Sequence, residues 1–393
     1  MANYSEEEPL LRRHEPLTAW TSFKVAMTSS YVNLFLIFVP IAIIFSTLIH
    51  ASDTTVFTLN FIAIIPLAKL LGFATEEIAL RSGSTVGALL NATFGNAVEL
   101  ILGIIALKEG LIRVVQGKKT KYRHKLTYLI TASILGSILS NILLVLGFCF
   151  FLGGLNRSEQ TFNQTAAQTS CSLLSLTTLS LLVPAAFSAT IPKDSPTHGI
   201  LDLSHGTSIV LLIVYVLYLL FQLKTHTHLY EDEVDEEEVP TTTLVFSVAL
   251  LLVIAAIISI HAEYLVGAIE GVVEKWGINE TFVGIILLPI VGNAAEHVSS
   301  VTFAIKDKMN LCIGIAISSS LQIGLLVTPV LVLTGWVIDQ PMSLFFENFE
   351  TVVLFTSVLI VNYLIQDGRS NWLEGALLLS SYAIIGLAFY FHP

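Results

Sequence analysis

Residues 87–99 read GALLNATFGNAVE, and residues 284–296 read GIILLPIVGNAAE. The two stretches share Gly95-Asn96-Ala97-x-Glu99 and Gly292-Asn293-Ala294-x-Glu296, at an offset of 197 residues. In surroundings made mostly of Leu, Ile, Val and Ala, such a match points to an internal duplication. It also sets one carboxylate per copy in a stretch too apolar to face water. A charged side chain at mid-bilayer depth costs about 2.5 kcal/mol or more, so it marks a functional site by default.

Composition agrees with a membrane setting. The chain has 393 residues, of which 54% are hydrophobic and 12% charged. A soluble domain carries about a quarter charged residues, so most of this apolar surface must face lipid. Much of the net charge of −11 sits in one run, Glu231–Glu238, with seven acids in eight residues. Cys149, Cys171 and Cys312 lie in apolar segments without ligand spacing and read as packing residues. The first thirty residues are polar and acidic, so no cleavable signal peptide is expected and the first span would direct insertion.

A spanning helix needs about 20 mostly apolar residues. The candidates are 33–49, 57–73, 86–107, 132–152, 165–187, 204–223, 243–265, 279–304, 310–336, 350–366 and 371–391. The expected fold is therefore an all-α polytopic membrane protein of about 11 transmembrane helices. Each Gly-Asn-Ala-x-Glu copy falls in a block of five spans. An odd number per block turns the second block over relative to the first, which is the inverted-repeat plan of many secondary transporters. The division is a cytosolic tail (1–30), a leading helix (31–56), a first repeat (57–223), an acidic cytosolic linker (224–242) and a second repeat (243–393).

A second match follows each copy: Gly136-Ser137-Ile138-Leu139-Ser140 and Ser318-Ser319-Ser320-Leu321-Gln322. Glu99 precedes Ser137 by 38 residues, but Glu296 precedes Ser319 by 23. The excess of 15 residues matches the basic stretch Gly117–Thr131. Without that stretch the positive charges divide 9 to 4 in favour of the cytosolic side, as membrane topology requires; with it the bias disappears. Its ends and interior can be encoded with a splice donor, branch point and acceptor. One reading is a translated intron whose removal joins Gln116 to Ala132; the other is a lineage-specific loop. The length of the mature transcript separates them.

On a helix, residues three apart share a face, so Asn96 points with Glu99 and Asn293 with Glu296. A hard cation such as calcium takes six to eight oxygen ligands, charged and neutral together. The candidate metal ligands are Glu99, Glu296, Asn96 and Asn293, with Ser137 and Gln322 as further donors and Ser140 and Ser319 behind them. Gly95 and Gly292 let backbones approach or the helix open. Two carboxylates held together away from water favour protons when no metal is bound, and a divalent cation expels them. Metal and protons then exclude each other, which is the logic of an antiporter. The spans around the motifs hold no Lys or Arg at the same depth to neutralise these acids.

Other polar residues read less sharply. Glu76 and Glu77 fit either a cation-attracting entrance or a solvated helix end. His297 reads as a helix-contact histidine, and Glu263, Glu270 and Glu274 as a solvated far-side cluster. The acidic run is a solvated linker or a weak cation collector, to which His226 and His228 could add. Glu6-Glu7-Glu8-Pro9-Leu10-Leu11 fits an acidic dileucine address, and Asn279-Glu280-Thr281 is a sequon on the far side. No nucleophile–base pair or His/Glu metal triad appears at helical spacing, so no enzyme is expected. No cofactor and no nucleic-acid partner is expected either, and the sequence carries no signal that sets an oligomeric state.

These residues resemble a known family. GNAVELILGIIALKEG (95–110), ASILGSILSNILLVLG (132–147), VGNAAEHVSSVTFAIKDKMN (291–310) and SSLQIGLL (319–326) are similar to the vacuolar cation/proton exchangers of fungi and plants. Those belong to the cation/calcium antiporter superfamily, and the nearest likeness is to the fungal vacuolar calcium/proton exchangers. It runs from about residue 31 to the end, through Leu59–Pro66 and Ser370–Gly375. It implies eleven spans and calcium driven into the vacuole by departing protons, both ions being substrates. It also implies that the family's motif glutamates fall on Glu99 and Glu296, its asparagines on Asn96 and Asn293, and its partner-helix polar positions on Ser137 and Gln322. Gly117–Thr131 departs from the family pattern. A sodium/calcium exchanger, a manganese/proton antiporter and a passive cation channel remain as alternatives.

Overall fold

Apart from one two-residue strand pair, every regular element among the described residues is helical. The computed structural model of the chain describes residues 18–82, 94–115, 121–190, 198–229 and 239–392. The helices are α1 (Ala19–Thr28), α2 (Phe38–Thr47), α3 (Asp53–Ser82), α4 (Ala97–Val115), α5 (Lys121–Leu139), α6 (Leu146–Gly154), α7 (Gln164–Thr190) and α8 (His198–Leu220). There follow α9 (Leu244–Trp276), α10 (Glu280–Phe282), α11 (Leu288–Gly292), α12 (Ala294–Ile305), α13 (Met309–Gln322), α14 (Thr328–Val337), α15 (Asn348–Leu364) and α16 (Trp372–Phe391). A tighter 3₁₀ run, Tyr31–Ile37, leads into α2.

Among the described residues, seven helices are long and apolar enough to cross a membrane, and two bent pairs bring the number to nine if each is one span. The pairs are Ala19–Thr28 with Tyr31–Thr47, bent by 100°, and Glu280–Gly292 with Glu296–Ile305, bent by 62°. Asn348–Leu364 is a shorter apolar helix. The stretch expected at 86–107 lies partly outside the described residues.

Burial sorts the spans. In its apolar window Leu129–Gly154 is 83% buried and Met309–Val337 is 72% buried, so these two form the centre. Gly199–Thr225 and Trp372–Phe391 are only 22% buried and present Leu, Val and Ile outward. Such surface is stable only against lipid. The two central helices are the ones that carry Ser137 and Ser140, and Ser319 and Gln322.

Caps explain several boundaries. Thr243 Oγ1 accepts from Phe246 N and opens α9, and Gly277 ends it in the left-handed region at φ 65°. That conformation suits glycine, which has no Cβ to clash. In Ser370–Gly375, Asn371 and Glu374 form a capping box that starts α16.

One face of the molecule gathers the loops. There β1 (Gln160–Thr161) pairs antiparallel with β2 (Arg369–Ser370), and Arg369 grips Glu159 through both carboxylate oxygens at 2.9 and 3.0 Å. Glu77 is buried rather than solvated. Its carboxylate accepts from the backbone N–H and hydroxyl of both Thr241 and Thr242. Arg81 donates to the carbonyls of Glu77 and Thr242. Together they pin the end of the acidic linker to the end of α3. The acidic run itself and the dileucine stretch lie outside the described residues.

Of Gly117–Thr131, residues 117–120 lie outside the description and the remainder forms the start of α5. Leu129, Ile130 and Thr131 are buried. The sequon asparagine is occupied: Asn279 Nδ2 donates to the carbonyls of Phe389 and His392 at 2.7 Å each, and its Oδ1 accepts from Phe282 N.

Candidate functional site

Both Gly-Asn-Ala-x-Glu copies break the helix in the same way. The chain turns at Asn96 and at Asn293, and a new helix begins one residue later. Glu99 and Glu296 therefore each occupy the first turn of a half-helix. That turn carries unsatisfied backbone N–H groups and the positive end of the helix dipole. Helical bonding resumes across each break, Leu100 N to Asn96 O at 3.1 Å and His297 N to Asn293 O at 3.0 Å.

The opposing helices correspond as well. A π turn, Ser140–Val145, follows Ser137 at the end of α5. Another, Ile323–Val327, follows Gln322 at the end of α13. Single π turns often mark functional positions because they re-aim the side chains around them. Here each lies just beyond the polar residues that face the broken helices.

The polar side chains interlock across the two halves. Asn96 Nδ2 donates to Gln322 Oε1 at 2.6 Å, and Ser319 Oγ reaches Asn96 Oδ1 at 3.1 Å. In the other direction Asn293 Nδ2 donates to the Ser137 carbonyl at 3.2 Å. Ser319 Oγ also lies 3.0 Å from Glu296 Oε1. Ser140 Oγ meets His297 Nε2 at 3.1 Å, so His297 serves a contact between helices.

The two motif copies meet at Glu99 and Gly292, four residues before Glu296. Glu99 is 9% exposed, and its side chain rests on the backbone of Gly292. A Cβ on Gly292 would fall 2.6 Å from Glu99 Oε1. Gly95 is less constrained, with Gln322 Oε1 4.0 Å from the corresponding point.

Several oxygens here are buried without a hydrogen-bond partner: both of Glu99, Oε2 of Glu296, Oδ1 of Asn293 and Oγ of Ser137. A buried carboxylate that accepts no hydrogen bond is strongly unfavourable unless a proton or a cation completes it. Two carboxylates, three amides and the Ser137 hydroxyl make a mixed oxygen set of the kind calcium takes. Among the described residues no cluster of three or more His, Cys, Asp or Glu forms a rival metal site.

Among the described residues, a cavity reaches the site. A cavity of about 550 Å³ runs from Gly95, Glu296, Ser319 and Gln322 to Asn163, Leu229 and Asn310. Its mouth is on the loop-bearing face, beside both ends of the acidic linker. Exposed Glu76 lines it. On the other side α5 packs on the Val283–Leu287 turn so closely that a Cβ on Gly136 would collide with the Ile285 carbonyl.

The spans that carry the motifs hold no Lys or Arg beside the two acids, but the span before the first motif brings one into their cavity. Lys69, on α3, lines the same cavity and donates to Ser299 Oγ at 3.0 Å. Ser299 lies 230 residues further along the chain, so only the tertiary fold reveals this contact. Ser319 was ranked behind Ser137 and Gln322, yet it is the residue that bridges Asn96 and Glu296.

The profile of the family described as "Sodium/calcium exchanger protein" matches residues 52–224 and 246–391. The chain belongs to the sodium/calcium exchanger family. It is 49% identical to the vacuolar calcium ion transporter of Schizosaccharomyces pombe over 374 residues, covering 94% of this chain and 87% of that protein. It is 45% identical to the Ca(2+)/H(+) antiporter of Aphanothece halophytica, covering 91% and 95% of the two chains. Among solved structures, native YfkE superposes with a TM-score of 0.75 at 35% identity, over 91% of this chain and all of that one. The H+/Ca2+ exchanger CAX shares the fold with a TM-score of 0.68 at 16% identity.

Proposed function

We propose that this member of the family is a secondary-active antiporter that moves Ca2+ from the cytosol into the vacuole in exchange for H+. Its identity to a vacuolar calcium ion transporter and to a Ca(2+)/H(+) antiporter supports the substrates and the compartment. The family name alone leaves sodium as a coupling ion; the likeness to a Ca(2+)/H(+) antiporter favours protons. A passive channel would need no paired half-helices that each set a carboxylate in their first turn.

The observation that carries the reading is the set of unpartnered oxygens on Glu99, Glu296, Asn293 and Ser137. Glu99 and Glu296 hold either one calcium ion or protons. Asn96, Asn293, Ser137 and Gln322 complete the shell, with Gly292 giving the backbone clearance that Glu99 needs and Gly95 bordering Gln322. Ser319 orients Glu296. A proton-loaded or calcium-loaded site is neutralised and can cross between faces, whereas an empty charged site cannot, and this couples the two flows. No resident cofactor is required, and no covalent chemistry is performed on a substrate.

We place eleven spans in the chain: a leading helix before residue 57, then five-span repeats over 57–223 and 243–393 in opposite orientation. The equivalent breaks at Asn96 and Asn293 and the equivalent π turns support the duplication. Residues 1–30 and 224–242 lie on the cytosolic side in this arrangement, so the cavity faces the cytosol. The test is calcium uptake into acid-loaded vesicles in sodium-free medium. Uptake that collapses with the proton gradient supports the reading; uptake that needs internal sodium instead of acid contradicts it.

A further inference from the structure

The cavity leading to Glu296 contains a lysine, an unexpected feature on a route for a divalent cation. Lys69 projects from α3, and its Nζ donates to Ser299 Oγ at 3.0 Å. Ser299 lies three residues beyond Glu296 on α12, so the two share one face about one turn, or roughly 5.4 Å, apart. Both line the cavity together with Lys69. Glu296 Oε2 accepts no hydrogen bond.

An ammonium on a flexible four-carbon stem is a mobile point charge. Resting on a neutral hydroxyl, it is held by a contact worth about as much as one ordinary hydrogen bond. It therefore stays free to lean one turn along α12 toward the carboxylate. A calcium ion entering from the mouth meets this charge before it meets Glu296, and as a divalent ion it is repelled twice as strongly as a monovalent one. Glu76 lines the same cavity nearer the surface and offsets part of the charge.

We propose that Lys69 is a resident cation that competes with incoming calcium for Glu296 and so sets the calcium affinity of the linker-side entrance. The ammonium touches a core helix from α3, so it also reports the arrangement of those helices in the state open to the linker side. This inference rests on the antiport reading of the site.

The experiment compares wild type with Lys69→Gln, Lys69→Met and Lys69→Arg. Calcium uptake into acid-loaded vesicles gives KM and maximal rate, and calcium binding is measured separately in detergent. The expected result is a KM lowered about three- to tenfold in Lys69→Gln and Lys69→Met. Their maximal rates stay within about twofold of wild type, and Lys69→Arg keeps the wild-type KM. Binding in detergent tightens in parallel. A KM that stays put or rises in both neutral variants overturns the proposal, as does an equal shift in Lys69→Arg. A wild type that binds calcium but exchanges it for no protons refutes the antiport reading; the claim for Lys69 is then decided by binding alone.

Discussion

At the scale of single residues, the glycine contacts give a sharp contrast. A methyl on Gly292 would drive Glu99 from its place, whereas the same methyl beside Gly95 meets an ordinary contact. Gly292→Ala is therefore expected to weaken calcium binding about 10- to 100-fold, the usual effect of disturbing what supports a metal ligand. Gly95→Ala is expected to change it by less than about threefold. Both are read by calcium titration in detergent. Ser319→Ala removes the hydroxyl that lies 3.1 Å from Asn96 Oδ1 and 3.0 Å from Glu296 Oε1 and donates its one proton to either of them. At about 1 kcal/mol, its loss is expected to raise the calcium KM about fivefold with the protein still folded. Most of these positions were legible in the sequence because a duplicated Gly-Asn-Ala-x-Glu in an apolar setting has few structural explanations. Ser319 was ranked too low because its neighbours Ser318 and Ser320 offer the same side chain. Only the twist of α13 shows which of the three faces Glu296.

At the scale of elements, seven of the spans expected from apolar length stand as long apolar helices among the described residues, while their ends were set by caps and polar anchors that hydropathy does not weigh. The second span was expected at 57–73, yet α3 runs from Asp53 to Ser82. Its additional turns carry Glu76, Glu77 and Arg81. Glu77 looked like one of two solvated acids, and the structure shows it buried against Thr241 and Thr242. Periodicity could not reveal this, because the partners lie more than 160 residues away. Glu77→Ala leaves four donors without their acceptor. It is expected to cost about 3 kcal/mol or more, read as a lower midpoint of thermal unfolding in detergent. Protease cleavage within the acidic linker is expected to accelerate in the same variant. Lys69 escaped notice for a similar reason: a single Lys inside an apolar span has no pattern in the linear sequence.

For the whole molecule, the central placement of Leu129–Gly154 and Met309–Val337 follows from their burial, and the remaining spans wrap them toward lipid. Gly117–Thr131 bears on this scale, since its described part continues α5 and buries Leu129 and Ile130 beside the small pocket that Glu99 lines. Deleting 117–131 would test whether the chain works as well or better with Gln116 joined to Ala132. The exchange reading also fixes a sign for pH. Protons and calcium compete for the same carboxylates, so the calcium affinity is expected to fall as pH falls on the side the cavity faces, and to recover as pH rises. The most direct measurement is calorimetric titration of the solubilised protein with calcium in buffers of different ionisation enthalpy. Calcium binding by the wild type is expected to release protons, and Glu99→Gln/Glu296→Gln to lose both the binding and the release. Calcium bound without proton release, or bound undiminished by the doubly neutralised protein, would contradict the account.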